Sequence, residues 1–351
     1  MNQFTLNSQE FKLLSSQTLS DYITSVAWSP QGTILAATSA AGEVVFCQNG
    51  DLMTLQSANG ESVDCVAFSH NGKLIAVSGQ NGQVKIWREN ELIATLENAP
   101  AWVDKLAWSP KCNYLAFSVG RKVQIWDADS GDFVVTLDFE NSSPLAIDWR
   151  NDGKYLAIAG HRGVKVWDTQ SWDDEPYILD IPSTSLAMAW SDDGKYLASG
   201  NMDKSLTVVE TQLLISDDDP SPWIMYGFPG KIRQVAWSEP NSDNGAPKLA
   251  CCSVDGIVLW DKQAGEDSDW ESNILTNHAD IIQAIGFAPN SFLLASAGSD
   301  GWLCLWQDAR EVSQIITGVS GGFTCIDWHH QGNKIAAGGD NGELLIYSSL
   351  D

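Results

Sequence analysis

The sequence predicts an all-β repeat protein, and three observations predict it. A short phrase in which a small residue precedes an aromatic, a turn and then Leu-Ala or Ile-Ala recurs eight times, at Trp28, Phe68, Trp108, Trp149, Trp190, Trp237, Phe287 and Trp328. The copies stand about 40 to 50 residues apart, a period that marks solenoids, propellers or arrays. Asn-Gly and Asp-Gly pairs punctuate each copy, and no stretch of useful length has helical periodicity.

Residues 62 to 87 lay out the elements of one copy. A first strand ends at Phe68 and turns at Asn71-Gly72, a second holds Leu74-Ile75-Ala76-Val77, and Asn81-Gly82 makes a tight hairpin into Val84-Lys85-Ile86-Trp87. A fourth strand follows at Glu91 to Leu96, so each copy is a four-stranded antiparallel meander. The same turns return at Asp152-Gly153, Asp193-Gly194 and Gln331-Gly332 after first strands, and at Asp255-Gly256, Asp300-Gly301 and Asn341-Gly342 after second strands. These residue types tolerate the positive φ that such turns require.

Third strands end in Trp87, Trp126, Trp167, Trp260 and Trp306, and Asp127, Asp168 and Asp261 follow three of them. On these residues the chain resembles the WD40-repeat family of β-propellers, from about residue 9 to 347. Third strands ending at Phe46, Val209 and Tyr347, and the missing Gly-His pair before each first strand, mark it as a divergent member. The resemblance implies a single closed domain of four-stranded antiparallel blades. Their units are approximately 9–47, 48–88, 89–127, 128–168, 169–210, 211–261, 262–307 and 308–347. It also implies one buried hydrogen-bond network, His278 with Ser296, Asp300 and Trp306.

Eight first, second and third strands predict eight blades, with seven as the fallback were the stretched sixth unit malformed. The last blade lacks an outer strand, and Glu10-Phe11-Lys12-Leu13-Leu14 is placed to supply it by pairing onto that blade and closing the ring. Pairing of this kind also shields sheet edges.

Composition bounds the function. The chain has 351 residues, with 20 basic against 45 acidic residues and a formal charge of −25, which repels a phosphate backbone. Direct nucleic-acid binding and membrane insertion are not expected, since no apolar run approaches a span. Seven cysteines, odd in number and without metal-type spacing, point to free thiols in a reducing cytoplasm. No nucleophile elbow, zinc-binding helix or phosphate loop is present, so no cofactor and no catalytic residue is expected. An enzyme using the channel residues Asp64, Asp104, Asp148 and Asp327 is one alternative. A metal-handling, metallochaperone-associated protein using the free cysteines and His329-His330, with His70 in an equivalent slot, is another.

Residues left over once the repeat is subtracted carry the functional expectation. Four long loops, 169–176, 210–221, 239–247 and 262–272, fall on one face of units four to six, here the bottom. They gather an acidic crescent with Trp172, Asp173, Asp174, Asp217, Asp218, Asp219, Trp223 and Trp270, suited to a basic protein partner. The opposite, top face gathers Tyr22, Trp102, Arg121, Lys122, His161, Arg162, Lys204, Lys231 and Arg233. Because the family commonly binds partners there, this is the first-choice contact set of a scaffold or adaptor.

Overall fold

The computed structural model describes residues 10–140, 142–216, 220–240, 246–263 and 269–349. In the structure each unit is counted from its first strand through the fourth strand that follows, and unit two shows how sequence becomes structure. Strands Val63–Phe68, Leu74–Gly79, Gln83–Arg88 and Glu91–Glu97 pair in order, setting Phe68 opposite Ile75, Ile75 opposite Trp87 and Trp87 opposite Leu92. The second strand is buried along its whole length, whereas the outermost is mostly exposed. That gradient follows from radial stacking, in which both faces of each sheet are covered and only the outer edge meets water.

The apolar core is accordingly divided among boundaries between successive units. Ala36, Val44 and Phe46 of unit one pack with Val63, Ile75, Val77 and Trp87 of unit two, and Leu74, Val84 and Ile86 of unit two pack with Val103, Trp108 and Phe117 of unit three. Each fully buried Val, Leu, Ile or Phe contributes about 1.5–3 kcal/mol. Stability therefore resides in neighbour contacts, as in other repeat proteins.

The recurring tryptophans fasten these boundaries. Trp108 donates its indole N–H to the Ala67 carbonyl at 3.1 Å, and Trp149, Trp237 and Trp328 reach Ala107, Ala189 and Gly286 at 3.0 Å each. In every case the acceptor is the small residue just before the preceding unit's aromatic, so the small side chain leaves room for the ring. Two units carry aspartate there instead. Asp148 and Asp327 accept the backbone N–H groups of Trp190 and Trp28, at 3.0 and 2.7 Å, and the indole N–H groups of those two tryptophans have no partner.

The ring closes through the amino-terminal strand Phe11–Thr18, which pairs antiparallel with Glu343–Ser349 of the last unit. Phe11 is fully buried and meets Trp328 edge-on, at 5.6 Å between ring centroids. Gln314 of unit seven holds both the N–H and the C=O of Phe11 with its side-chain amide.

Two expectations are corrected. Among the described residues the hydrogen-bonded sheets number seven, not eight: six have four strands and one has six. The cause is not unit six, whose strands Gln234–Trp237, Lys248–Ser253, Gly256–Lys262 and Trp270–Thr276 pair regularly. Units four and five instead share one sheet, because Tyr177–Trp190 runs without a break. Its first half pairs with Tyr155–Asp168 and its second with Tyr196–Asn201. Along it, pairing passes directly from Thr184 opposite His161 to Ser185 opposite Asn201. The second departure is a helix of one turn, Thr211–Ile215, whose Leu214 is buried against the core between units four and five.

Candidate partner-binding site

All nine residues expected on the top face are exposed. Trp102 is the most apolar of them and is 61% exposed. Lys122 lies 3.3 Å from Asp138 and Arg162 lies 3.5 Å from Asp180, both pairs well solvated. Solvated pairs of this kind contribute about 0–1 kcal/mol, so these cations remain free to exchange partners. Arg121 donates to the Glu140 carbonyl, and the His161 ring is 3.4 Å from the Thr184 hydroxyl. The structure brings His161 and Arg162 together at a groove of about 410 Å³ on unit four, with Phe139, Ile178 and Asp180 in its wall. Tyr22 sits apart, on unit one.

The crescent on the opposite face is built differently from its expectation. Asp173 and Asp174 are exposed, whereas Asp217, Asp218 and Asp219 lie outside the described residues. The three tryptophans pack inward. Trp172 meets Trp149 edge-on at 6.1 Å. Trp270 is only 8% exposed and forms an aromatic cluster with Trp223, Tyr196 and Trp237, with centroids 5.6–6.4 Å apart. The Lys262 ammonium stands over the Trp223 ring at 4.1 Å, a cation–π contact inside the protein. These rings fill the boundary between units five and six and are not available as a partner's anchor. Trp302, another leftover tryptophan, also packs against the core.

The buried network forms as the resemblance implies. His278 Nδ1 lies 2.9 Å from Asp300 Oδ2, its Nε2 lies 2.8 Å from Ser296 Oγ, and the Trp306 indole donates to Ser296 Oγ at 2.9 Å. In the neutral tautomer that donates Nδ1–H to Asp300, Nε2 accepts from the Ser296 hydroxyl, which itself accepts from Trp306. Asp300 also accepts the N–H groups of Ala279 and Trp302, so the network ties a loop to a turn.

The residues of the catalytic and metal alternatives are otherwise engaged. Gln331 N–H donates to His329 Nδ1 at 3.2 Å, which leaves the Nε2 proton facing the Gly32 carbonyl, also at 3.2 Å. Burial, with His330 next, pushes the His329 pKa down. Among the described residues no three His, Cys, Asp or Glu side chains are grouped to hold a metal ion. All seven cysteines are free, and burial raises the Cys65 and Cys325 thiols to about 11 and Cys252 and Cys304 to about 12, which disfavours the thiolate. Asp64 and Asp104 bond to Ser62 and Ser118 of their own units. Asp148 and Asp327 stand at the inner boundaries, where burial outweighs two backbone N–H donors and raises each pKa to about 7.

Sequence reasoning passed over Met202, Tyr226 and Val254, which are 55%, 70% and 43% exposed. The signal for Val254 lay in the turns, where glycine stands in some units and not in others.

The fold is a repeat β-propeller of antiparallel sheets. The pattern of the family described as "WD domain, G-beta repeat" matches residues 12–46, 50–88, 181–209, 271–307 and 310–348, just over half of the chain. The chain belongs to the WD40 family. Among curated relatives it is similar to the F-box-like/WD repeat-containing protein TBL1Y of Homo sapiens, 31% identical over 93 residues, covering 26% of this chain and 18% of that protein. It is also similar to the ribosome biogenesis protein WDR12 homolog of Nematostella vectensis, 31% identical over 103 residues, 28% of this chain and 24% of that one. Protein CIA1 of Arabidopsis thaliana matches at 27% over 124 residues, 34% of this chain and 32% of it. The matched segments thus span about a third or less of each relative.

Proposed function

We propose that this chain is a non-catalytic adaptor that holds protein partners on its top face. The observation that carries this reading is the coincidence, on a WD40 propeller, of nine exposed top-face residues whose cations cluster on units three to six. In a chain with 20 basic and 45 acidic residues, that local concentration is favoured over chance solvation. The inward packing of Trp172, Trp223 and Trp270 leaves the acidic bottom loops without aromatic anchors, so a basic partner there is the secondary surface. The free thiols support a reducing, cytoplasmic setting, and among the described residues no helix is long and apolar enough to cross a membrane. The acidic balance weighs against direct nucleic-acid contact.

We read the ring as eight radial positions, with two of them fused into the six-stranded sheet. In support, eight apolar clusters sit one to each boundary between consecutive repeats. The innermost strands also neighbour one another in a closed cycle through all eight repeats.

The test is affinity capture from the native cell with Trp102→Ala combined with Arg162→Ala. Loss of partners at an unchanged melting temperature is the expected result. Partners that persist through both changes overturn the top-face reading.

A further inference from the structure

Every turn between second and third strands places at least one residue at positive φ, and that of unit four places two, Arg162 and Gly163. Units one, two, three, seven and eight use Gly42, Gly82, Gly120, Gly301 and Gly342, with φ between +60° and +91°. Units four, five and six use Arg162, Lys204 and Val254 instead, at φ of 68°, 68° and 60°. Side chains are disfavoured in this conformation, and a β-branched residue is a marked outlier. Asn49, Glu89, Glu140, Asn290, Asp308 and Ala309 also adopt positive φ, so what sets Arg162, Lys204 and Val254 apart is their shared place in the turns between second and third strands.

Steric surroundings account for glycine in four of the five units that carry it; around Gly120 of unit three a Cβ would meet nothing within 4 Å. A Cβ on Gly42 would lie 2.2 Å from Asn59, on Gly82 2.6 Å from the Ala101 carbonyl, on Gly301 2.0 Å from the Val319 carbonyl, and on Gly342 2.4 Å from the Leu19 carbonyl. In these four units the loop leaving the fourth strand presses onto the turn and closes the top. Arg162, Lys204 and Val254 present exposed side chains, even though a Cβ on Gly163 beside Arg162 would lie 2.1 Å from the Leu179 carbonyl and Ile282 N–H bonds to the Val254 carbonyl. Nothing local obliges those turns to carry a side chain, and glycine would relieve the strain.

The three turn tips are joined along the rim. Met202 N–H bonds to the Thr184 carbonyl beside His161, Ile232 N–H bonds to the Asn201 carbonyl, and Gly230 bonds to Ser253 next to Val254. Met202, Tyr226 and Val254 supply exposed apolar surface, and Arg162, Lys204 and Lys231 stand among them. No ion pair to Lys204 or Lys231 forms among the described residues.

We infer that this open arc over units four to six is the docking surface for an extended protein segment in which acidic residues flank a bulky apolar side chain. The inference rests on the adaptor reading and names the partner's chemistry. The cations select carboxylates, and Met202, Tyr226 and Val254 receive the apolar side chain. Fixed turn tips meet the segment without being ordered by it, which is what side chains held in strained but rigid turns supply.

The experiment titrates the full chain against a fluorescein-labelled peptide of about twelve residues, alternating Glu and Asp around one central Leu, read by fluorescence anisotropy. The variant carrying Arg162→Gly, Lys204→Gly and Val254→Gly is expected to bind at least tenfold more weakly with a thermal midpoint equal to or above the parent's. Lys204→Glu provides the same loss without altering the number of glycines. No binding to the parent chain, equal binding of a Gln-substituted peptide, or undiminished binding to both variants overturns the inference. Should Tyr22→Ala remove binding while the glycine variant keeps it, the top-face reading stands and the arc fails. Should neither matter, both fail.

Discussion

The top of units one, two, seven and eight and the top of units four to six are built from the same hairpin in the same conformation, yet they end in different chemistry. In the first group a neighbouring loop leaves no room for a Cβ at the left-handed position; in the second that position carries the exposed side chain of Arg162, Lys204 or Val254. Departure from the repeat pattern is therefore concentrated where packing releases its constraint. A regular arc holds the ring, and an open arc is free to take on recognition.

The largest break in that comparison is made in the regular arc. Deleting residues through Thr18 removes the outer strand of the last unit, and with it Phe11 and its bonds to Gln314. The expected fall in melting temperature exceeds about 10 °C, or the chain does not fold; an unchanged midpoint contradicts closure by this strand. Gly301→Ala comes next, because the new Cβ would meet the Val319 carbonyl at 2.0 Å in a left-handed turn. Chemical denaturation is expected to register a loss of about 2–4 kcal/mol.

A third prediction concerns the boundary between units four and five, inside the open arc. Asp148 has its pKa raised from 3.8 to about 7, chiefly by burial. A carboxyl shifted upward binds a proton on folding, so its contribution to stability is greatest below pH 4, declines as pH rises to about 7 and is flat above. Asp148→Asn is expected to abolish that decline and to raise stability at pH 8 by about 1–3 kcal/mol, read from melting curves at pH 5 and pH 8. Asp327→Asn, at the matching boundary of the regular arc, is expected to do the same. A parallel pH profile in parent and variants contradicts the assignment. The smallest effect is Val254→Gly, expected to stabilise by about 0.5–1 kcal/mol in equilibrium unfolding because relieved strain exceeds the entropy cost of glycine.

Much of this architecture was legible in residue order. Asn81-Gly82 and Trp87 placed a hairpin and a strand end, and the apolar run at Phe11 announced the closing strand, because turn chemistry and alternation act locally. The fusion of units four and five was not, since continuous pairing through Ile181–Thr184 depends on both flanking sheets. Nor was the inward packing of Trp223 and Trp270, which meet Tyr196 and Lys262 only across a unit boundary. Asp148 and Asp327 were named as inner residues, but their reach to the next unit's backbone required the geometry. An alignment of the eight units would have singled them out, as six units place Ala or Gly there. For the candidate site the cations were readable from charge and turn position. Met202 and Tyr226 carry no repeat signal, and their exposure follows from where the rim lies open.

The most direct measurement is site-specific photo-crosslinking in the native cell, with benzoylphenylalanine replacing Tyr226 on the open arc or Ile274 on the outer edge of unit six. The two positions are similarly exposed, at 70% and 67%. Partner adducts formed from position 226 and absent from position 274 are the predicted result. Adducts from position 274 alone, or equally from both, would contradict recognition on the open top face.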